Sequence, residues 1–246
     1  MQSGGDIMFF LAPIYYLIII YVLAAVLPAF FLMKYIYKQD TIEKEPPGLL
    51  WSLALKGVLA ALASIILEML GKSVLNWLVD PDNPKYVVLL AFLVVAVVEE
   101  GTKFFFLYRQ TWNDFNFNYR FDGIIYAVFV SLGLAAFENI NYVFSYGLSV
   151  ALPRAVLSIP GHMGFAVLMG LFYGRAKLCA NRGNHFSCKI NLFMGYIAAV
   201  FLHGVYDTCC MSGTTQSTFI FVVFVAVMYL AVFLLIRHES RTNAPI

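Results

Sequence analysis

The sequence predicts an all-α, polytopic transmembrane helical bundle of about seven spans. Three observations carry that reading. Of its 246 residues 61% are hydrophobic and only 12% charged, whereas a soluble domain is about 45–50% apolar and about 25% charged. The mean hydropathy is +0.80. The apolar residues fall in long runs, and about 20 residues of helix cross the hydrocarbon core of a bilayer. Alternation at period two is absent over these lengths, which disfavours a β-barrel.

The runs are Met8–Met33, Leu49–Leu70, Tyr86–Tyr108, Asp122–Tyr146, Arg154–Leu178, Lys189–Met211 and Gln216–Ile236. The first lacks a basic n-region and is too long for a signal-peptide core, so it reads as a retained span. Glu45–Pro46–Pro47–Gly48 opens the second run, and Pro81–Asp82–Asn83–Pro84 forms a turn that no helix continues through. Every loop Lys and Arg except Lys72, Lys85 and Arg154 falls on one side of the bundle. The positive-inside rule then places the N-terminus outside and the C-terminus inside. The linkers are short, so 1–246 reads as a single integral membrane domain with a catalytic-like core at about 86–212. The localisation expected is the cell (cytoplasmic) membrane, multi-pass. A net charge of +2 gives no reason to expect nucleic acid. The four cysteines are scattered and suggest no disulfide framework; Cys179, His185 and Cys188 are too sparse to read as a metal set.

Polar residues inside the runs carry the chemistry. Each charge within a span costs about 2.5–3.5 kcal/mol on insertion scales, so such residues need partners or a task. The third run holds Glu99, Glu100 and Lys103, at i,i+4 and i,i+3. The fourth holds Glu138 and Asn139, the fifth His162, and the sixth His203 and Asp207 on one face. At about 1.5 Å of rise per residue these groups fall at similar depth, in the middle to outer part of the bilayer. Lys56 and Glu68 lie nearer opposite ends of the second run and read as side chains that snorkel to the interface. Gly164, Gly170 and Gly174 read as sites of close helix packing.

A glutamate with a carboxylate neighbour in a low-dielectric site suits a general base toward water. Histidine with Asp or Asn suits stabilisation of an oxyanion. The same donors are ordinary zinc ligands, so a metal-assisted hydrolase stays open beside a metal-free one. No His-Glu-x-x-His run is present, which favours the glutamate without a cofactor. A proton-coupled transporter or channel and a non-catalytic membrane scaffold are the readings of other classes.

Glu99–Glu100–Gly101–Thr102–Lys103 resembles the Glu-Glu-x-x-Lys motif of the PrsW family of intramembrane proteases. Phe137–Glu138–Asn139, preceded by Asp122–Gly123 and Tyr126, is similar to its second motif. Arg154 with His162 is similar to the third, and His203–Gly204–Val205–Tyr206–Asp207 to the fourth. The resemblance covers about half the chain and extends distantly to the CAAX prenyl endopeptidases. It implies a membrane-embedded peptidase that makes the first cut in a membrane-anchored anti-sigma factor, a single-span protein, on its extracytoplasmic side. It also implies roles. Glu99 or Glu100 activates water, His162 positions water or substrate, and His203 with Asp207 stabilises the oxyanion. Lys103, Glu138, Asn139 and Arg154 support them, and Glu138 stands where the prenyl peptidases have a histidine.

Overall fold

The computed structural model describes the backbone of residues 3–246 and the side chains of residues 15–246. The N-terminal part of the first expected span, from Met8, therefore lies outside the described side chains. Helices α1 (Ser3–Gln39) and α2 (Pro47–Leu78) are followed by a continuous helical run made of α3 (Tyr86–Leu89), a π-helical stretch (Leu90–Ala96) and α4 (Val97–Thr111). Then come α5 (Asp122–Tyr146), a 3₁₀ turn (Leu148–Val150), the short α6 (Ala151–Val156), α7 (Ser158–Asn181), α8 (His185–Ser212) and α9 (Thr215–Arg241). Among the described residues extended structure is limited to one isolated bridge, Tyr119 with Pro245.

Six helical segments are long and apolar enough to cross a membrane. The seventh expected span is the run 86–111, whose hydropathy is diluted by Glu99, Glu100, Lys103 and Arg109. The protein is a multi-pass membrane protein.

Three boundaries differ from the sequence expectation. α2 continues to Leu78 rather than ending at Leu70, because Gly71–Lys72–Ser73 interrupts hydropathy without breaking a helix; the Pro81–Pro84 turn does that. The third run is not a uniform α-helix, since i→i+5 bonding over Leu90–Ala96 widens it one turn before the glutamates. Arg154 does not lie in the fifth long helix. It sits on α6, separated from α7 by Leu157, where Pro153 and Pro160 withhold backbone donors. The Tyr229 hydroxyl of α9 lies against this break, its one proton shared between the carbonyls of Leu157 (2.7 Å) and Val156 (2.9 Å).

α5 is the axle of the bundle. Of its most apolar window 78% is buried, against 17% for α1 and for α9. It packs on α7, α2 and α1, and glycine lets it come close. A Cβ on Gly57 of α2 would lie 2.0 Å from the Val130 carbonyl oxygen, and one on Gly133 of α5 would lie 2.1 Å from that of Ala54. On the α7 side, Gly170 and Gly174 meet the backbone of Gly123 and Arg120 in the same way. Gly164, expected to do likewise, faces the flexible side chain of Met228 at ordinary contact distance. Polar side chains fix the rotation of the helices: Ser64 of α2 and Thr102 of α4 share a hydrogen bond of 2.8 Å, and Ser131 of α5 donates to the His162 carbonyl of α7 at 2.9 Å.

Candidate active site

On α4 the i,i+3 and i,i+4 spacing brings both glutamates to one lysine. The Lys103 ammonium donates to Glu100 Oε1 at 2.7 Å and to Glu99 Oε2 at 3.2 Å. α7 adds His162, whose Nδ1 lies 3.1 Å from the same Nζ and whose Nε2 lies 3.0 Å from Glu138 Oε2 of α5. α6 adds Arg154, with Nη2 3.2 Å from Glu138 Oε2. α8 adds His203, with Nδ1 2.8 Å from Glu100 Oε1 and Nε2 3.3 Å from Asp207 Oδ2. Nine groups expected from sequence were Glu99, Glu100, Lys103, Glu138, Asn139, Arg154, His162, His203 and Asp207; eight of them form one connected polar centre.

Asn139 stands behind that centre and joins it through Arg154. It donates to the Ala25 carbonyl of α1 at 2.8 Å and accepts from Arg154 Nε at 2.9 Å. It therefore ties α5 to α1 and orients the guanidinium from behind. Arg154 is clamped on another side by the Tyr142 ring, 3.7 Å from its guanidinium carbon.

The charges in this centre are partly balanced. Four carboxylates (Glu99, Glu100, Glu138, Asp207) face two cationic side chains, Lys103 and Arg154, and two imidazoles. Lys103 and Arg154 offset part of that charge and imidazole nitrogens bond Glu138, Glu100 and Asp207, which matters because an unbalanced buried charge is costly. The histidine rings meet edge to face at 5.4 Å, and Phe165 stacks on His203 at 4.9 Å.

The two glutamates have different surroundings. Glu99 lines a cavity of about 440 Å³, together with Glu138, Arg154, His162, His203 and Asp207. Glu100 is fully buried and does not line it; it is enclosed by Lys103 and His203, and its Oε2 has no hydrogen-bond partner. A second cavity of about 200 Å³ lies between α2 and α5 and shares Glu68, Glu99, Glu138 and Tyr142 with the first. Glu68 thus faces the polar centre instead of snorkelling away from it. Its position in an apolar stretch of α2 was the available signal, and spacing along one helix does not reveal which neighbour it faces.

The carboxylate oxygens of Glu99 and Glu100 and a ring nitrogen of His162 lie within 4.8 Å of one another, among the described residues the group that could hold a metal ion. Such an ion would sit about 2.0–2.2 Å from its donors. The Lys103 ammonium occupies the middle of this set, within hydrogen-bond distance of all three. As arranged, the residues do not accommodate a divalent ion beside the lysine.

A helical membrane bundle that buries carboxylates, histidines and a cavity among its spans has the make-up of an intramembrane hydrolase. The family profile described as "PrsW family intramembrane metalloprotease" matches residues 45–235, and the chain belongs to that family. It is 32% identical to Protease PrsW of Geobacillus kaustophilus over 75% of this chain and 76% of the relative. Protease PrsW of Clostridioides difficile is 31% identical over 84% and 86%. Protease PrsW of Oceanobacillus iheyensis is 30% identical over 89% and 96%. No solved structure matches the chain. The protein is an intramembrane peptidase, and an enzyme so embedded acts on membrane-bound substrates.

Proposed function

We propose that this chain is a glutamate-dependent endopeptidase that cuts a single-span membrane protein near its extracytoplasmic end. The observation that carries the reading is the asymmetry of the pair: Glu99 lines the cavity and Glu100 does not. Glu99 takes a proton from water as the hydroxyl oxygen attacks the scissile carbonyl carbon. The carbonyl electrons pass to oxygen. The proton then moves to the leaving amine as the C–N bond breaks and the carbonyl re-forms. Glu100 is the fixed member, holding Lys103 and His203 in position.

The oxyanion needs donors aimed into the cavity. His203 Nε2 faces Asp207 across 3.3 Å and can turn its N–H to substrate. Arg154 Nη2 is buried and has no well-aligned hydrogen-bond partner, so it is a second donor for the same oxygen. His162, between Lys103 and Glu138, orients the water or the substrate backbone. With the N-terminus outside the cell, the cavity opens toward the outer leaflet of the cytoplasmic membrane, which suits the first cut of an anti-sigma factor.

The test is cleavage of a single-span substrate by purified protein in liposomes. Wild type should cut with or without chelator, and Glu99→Gln should not. Cleavage that survives Glu99→Gln rejects this assignment of the base; loss of cleavage in chelator with recovery on adding zinc replaces the mechanism by a metal-dependent one.

A further inference from the structure

We infer that Lys103 is a built-in cation: its ammonium fills the position that a divalent metal would take between Glu99, Glu100 and His162, so lysine and metal exclude one another. The inference builds on the proposed metal-free mechanism but is read out by metal binding.

The geometry is that of a coordinated cation. Nζ is the centre of a three-donor shell at 2.7, 3.1 and 3.2 Å, from two carboxylates and one imidazole nitrogen. An ammonium has three N–H donors, and each has an acceptor here when His162 carries its proton on Nε2, toward Glu138. Lys103 is 1% exposed, so its shell is drawn from the protein. The three acceptors are the same three residues whose ligand atoms are close enough to hold a metal. An ion bound to them would lie almost on Nζ, and two positive charges cannot share that point.

The arrangement has a chemical consequence. A divalent ion would supply a Lewis acid at the water. An ammonium supplies only fixed positive charge and hydrogen bonds, and it cannot dissociate or be chelated. The cation comes with the fold rather than from the medium.

Cobalt binding tests this. Full-length protein in detergent is stripped with chelator, then titrated with Co²⁺ while visible absorption and bound metal are measured. Wild type should show no stoichiometric site. Lys103→Ala should gain one Co²⁺ per chain with d–d absorption, and adding Glu100→Gln or His162→Ala should remove it. Lys103→Met keeps the side-chain bulk without the charge; it should gain the same His162-dependent site and serves if the alanine variant does not fold. The inference is overturned if wild type binds one Co²⁺ per chain in a manner abolished by His162→Ala. It is also overturned if folded Lys103→Ala and Lys103→Met bind none. The wild-type titration with its His162→Ala control needs neither Lys103 variant, so the inference stays open to overturning even where both Lys103 substitutions unfold. Failure of the glutamate mechanism would appear in the cleavage assay with Glu99→Gln and would leave these titrations unchanged.

Discussion

Two regions of this bundle bury carboxylates, and they satisfy them differently. In the centre between α4, α5, α6, α7 and α8, the glutamates and Asp207 meet Lys103, Arg154 and two histidines. At the other group, where the α1–α2 linker meets the start of α5, the partners are neutral. Tyr126 donates its hydroxyl to Glu45 at 2.6 Å, and the backbone N–H groups of Asn118 and Tyr119 donate to Asp122 at 3.0 and 2.6 Å. Both carboxylate oxygens of Asp40 lack a partner. Lys44 donates to the Asp40 backbone carbonyl and only partly offsets burial, which dominates: it pushes the Asp40 carboxyl up and raises Glu45 to about 7. The contrast teaches what the cations do. The centre pairs its carboxylates with cations and lines a cavity with them, whereas the linker group meets its carboxylates with neutral donors and serves to join elements.

Four substitutions would break or sharpen that contrast. Glu99→Gln should have the largest effect, lowering the cleavage rate per folded molecule by about 10²–10⁴-fold. A cleavage rate within threefold of wild type would remove Glu99 from the chemistry. Arg154→Met comes next. Loss of one oxyanion donor should lower kcat by about 10²–10³-fold, with KM little changed; a change confined to KM would make Arg154 a binding group instead.

The linker group should respond in stability and not in catalysis. Tyr126→Phe leaves the buried Glu45 oxygen without its donor and should destabilise the fold by about 1–3 kcal/mol, with the rate per folded molecule unchanged. Denaturant unfolding in mixed micelles reads the first quantity. The smallest effect is a pH slope. Because Glu45 titrates higher in the folded protein than its ordinary 4.5, its contribution is complete below about pH 4.5 and is lost as pH rises through about 7. Glu45→Gln should flatten the stability profile across that window. A slope equal to wild type would assign it to another group.

How much of this was legible beforehand depends on the distance between partners along the chain. Glu99, Glu100 and Lys103 are linked by helical periodicity alone, as are His203 and Asp207, and both groupings appear in the structure as read. The Pro–Pro start of α2 and the Pro81–Pro84 break were equally local. The join between α6 and α7 was only partly legible: Pro160 frees the Val156 carbonyl locally, but that the Tyr229 hydroxyl of α9 meets that carbonyl and its neighbour at Leu157 is a tertiary contact. Glu68 was misplaced because a charge near the end of a run has two exits, to the interface or to a cavity, and only the neighbouring helices decide.

The sequence by itself determined a multi-span helical bundle and the pairings within a single helix, because hydropathy and i,i+4 spacing are properties of one segment, and the resemblance of its motifs pointed to the family. Tertiary structure decided the rest. It set Glu99 at the cavity and Glu100 behind it, joined Glu138 to His162, turned Asn139 toward α1, and brought His162 to Lys103. Each of those depends on how helices rotate and how closely they approach, and that is governed by contacts such as Gly57 against Val130 and Gly133 against Ala54, between residues far apart in the chain.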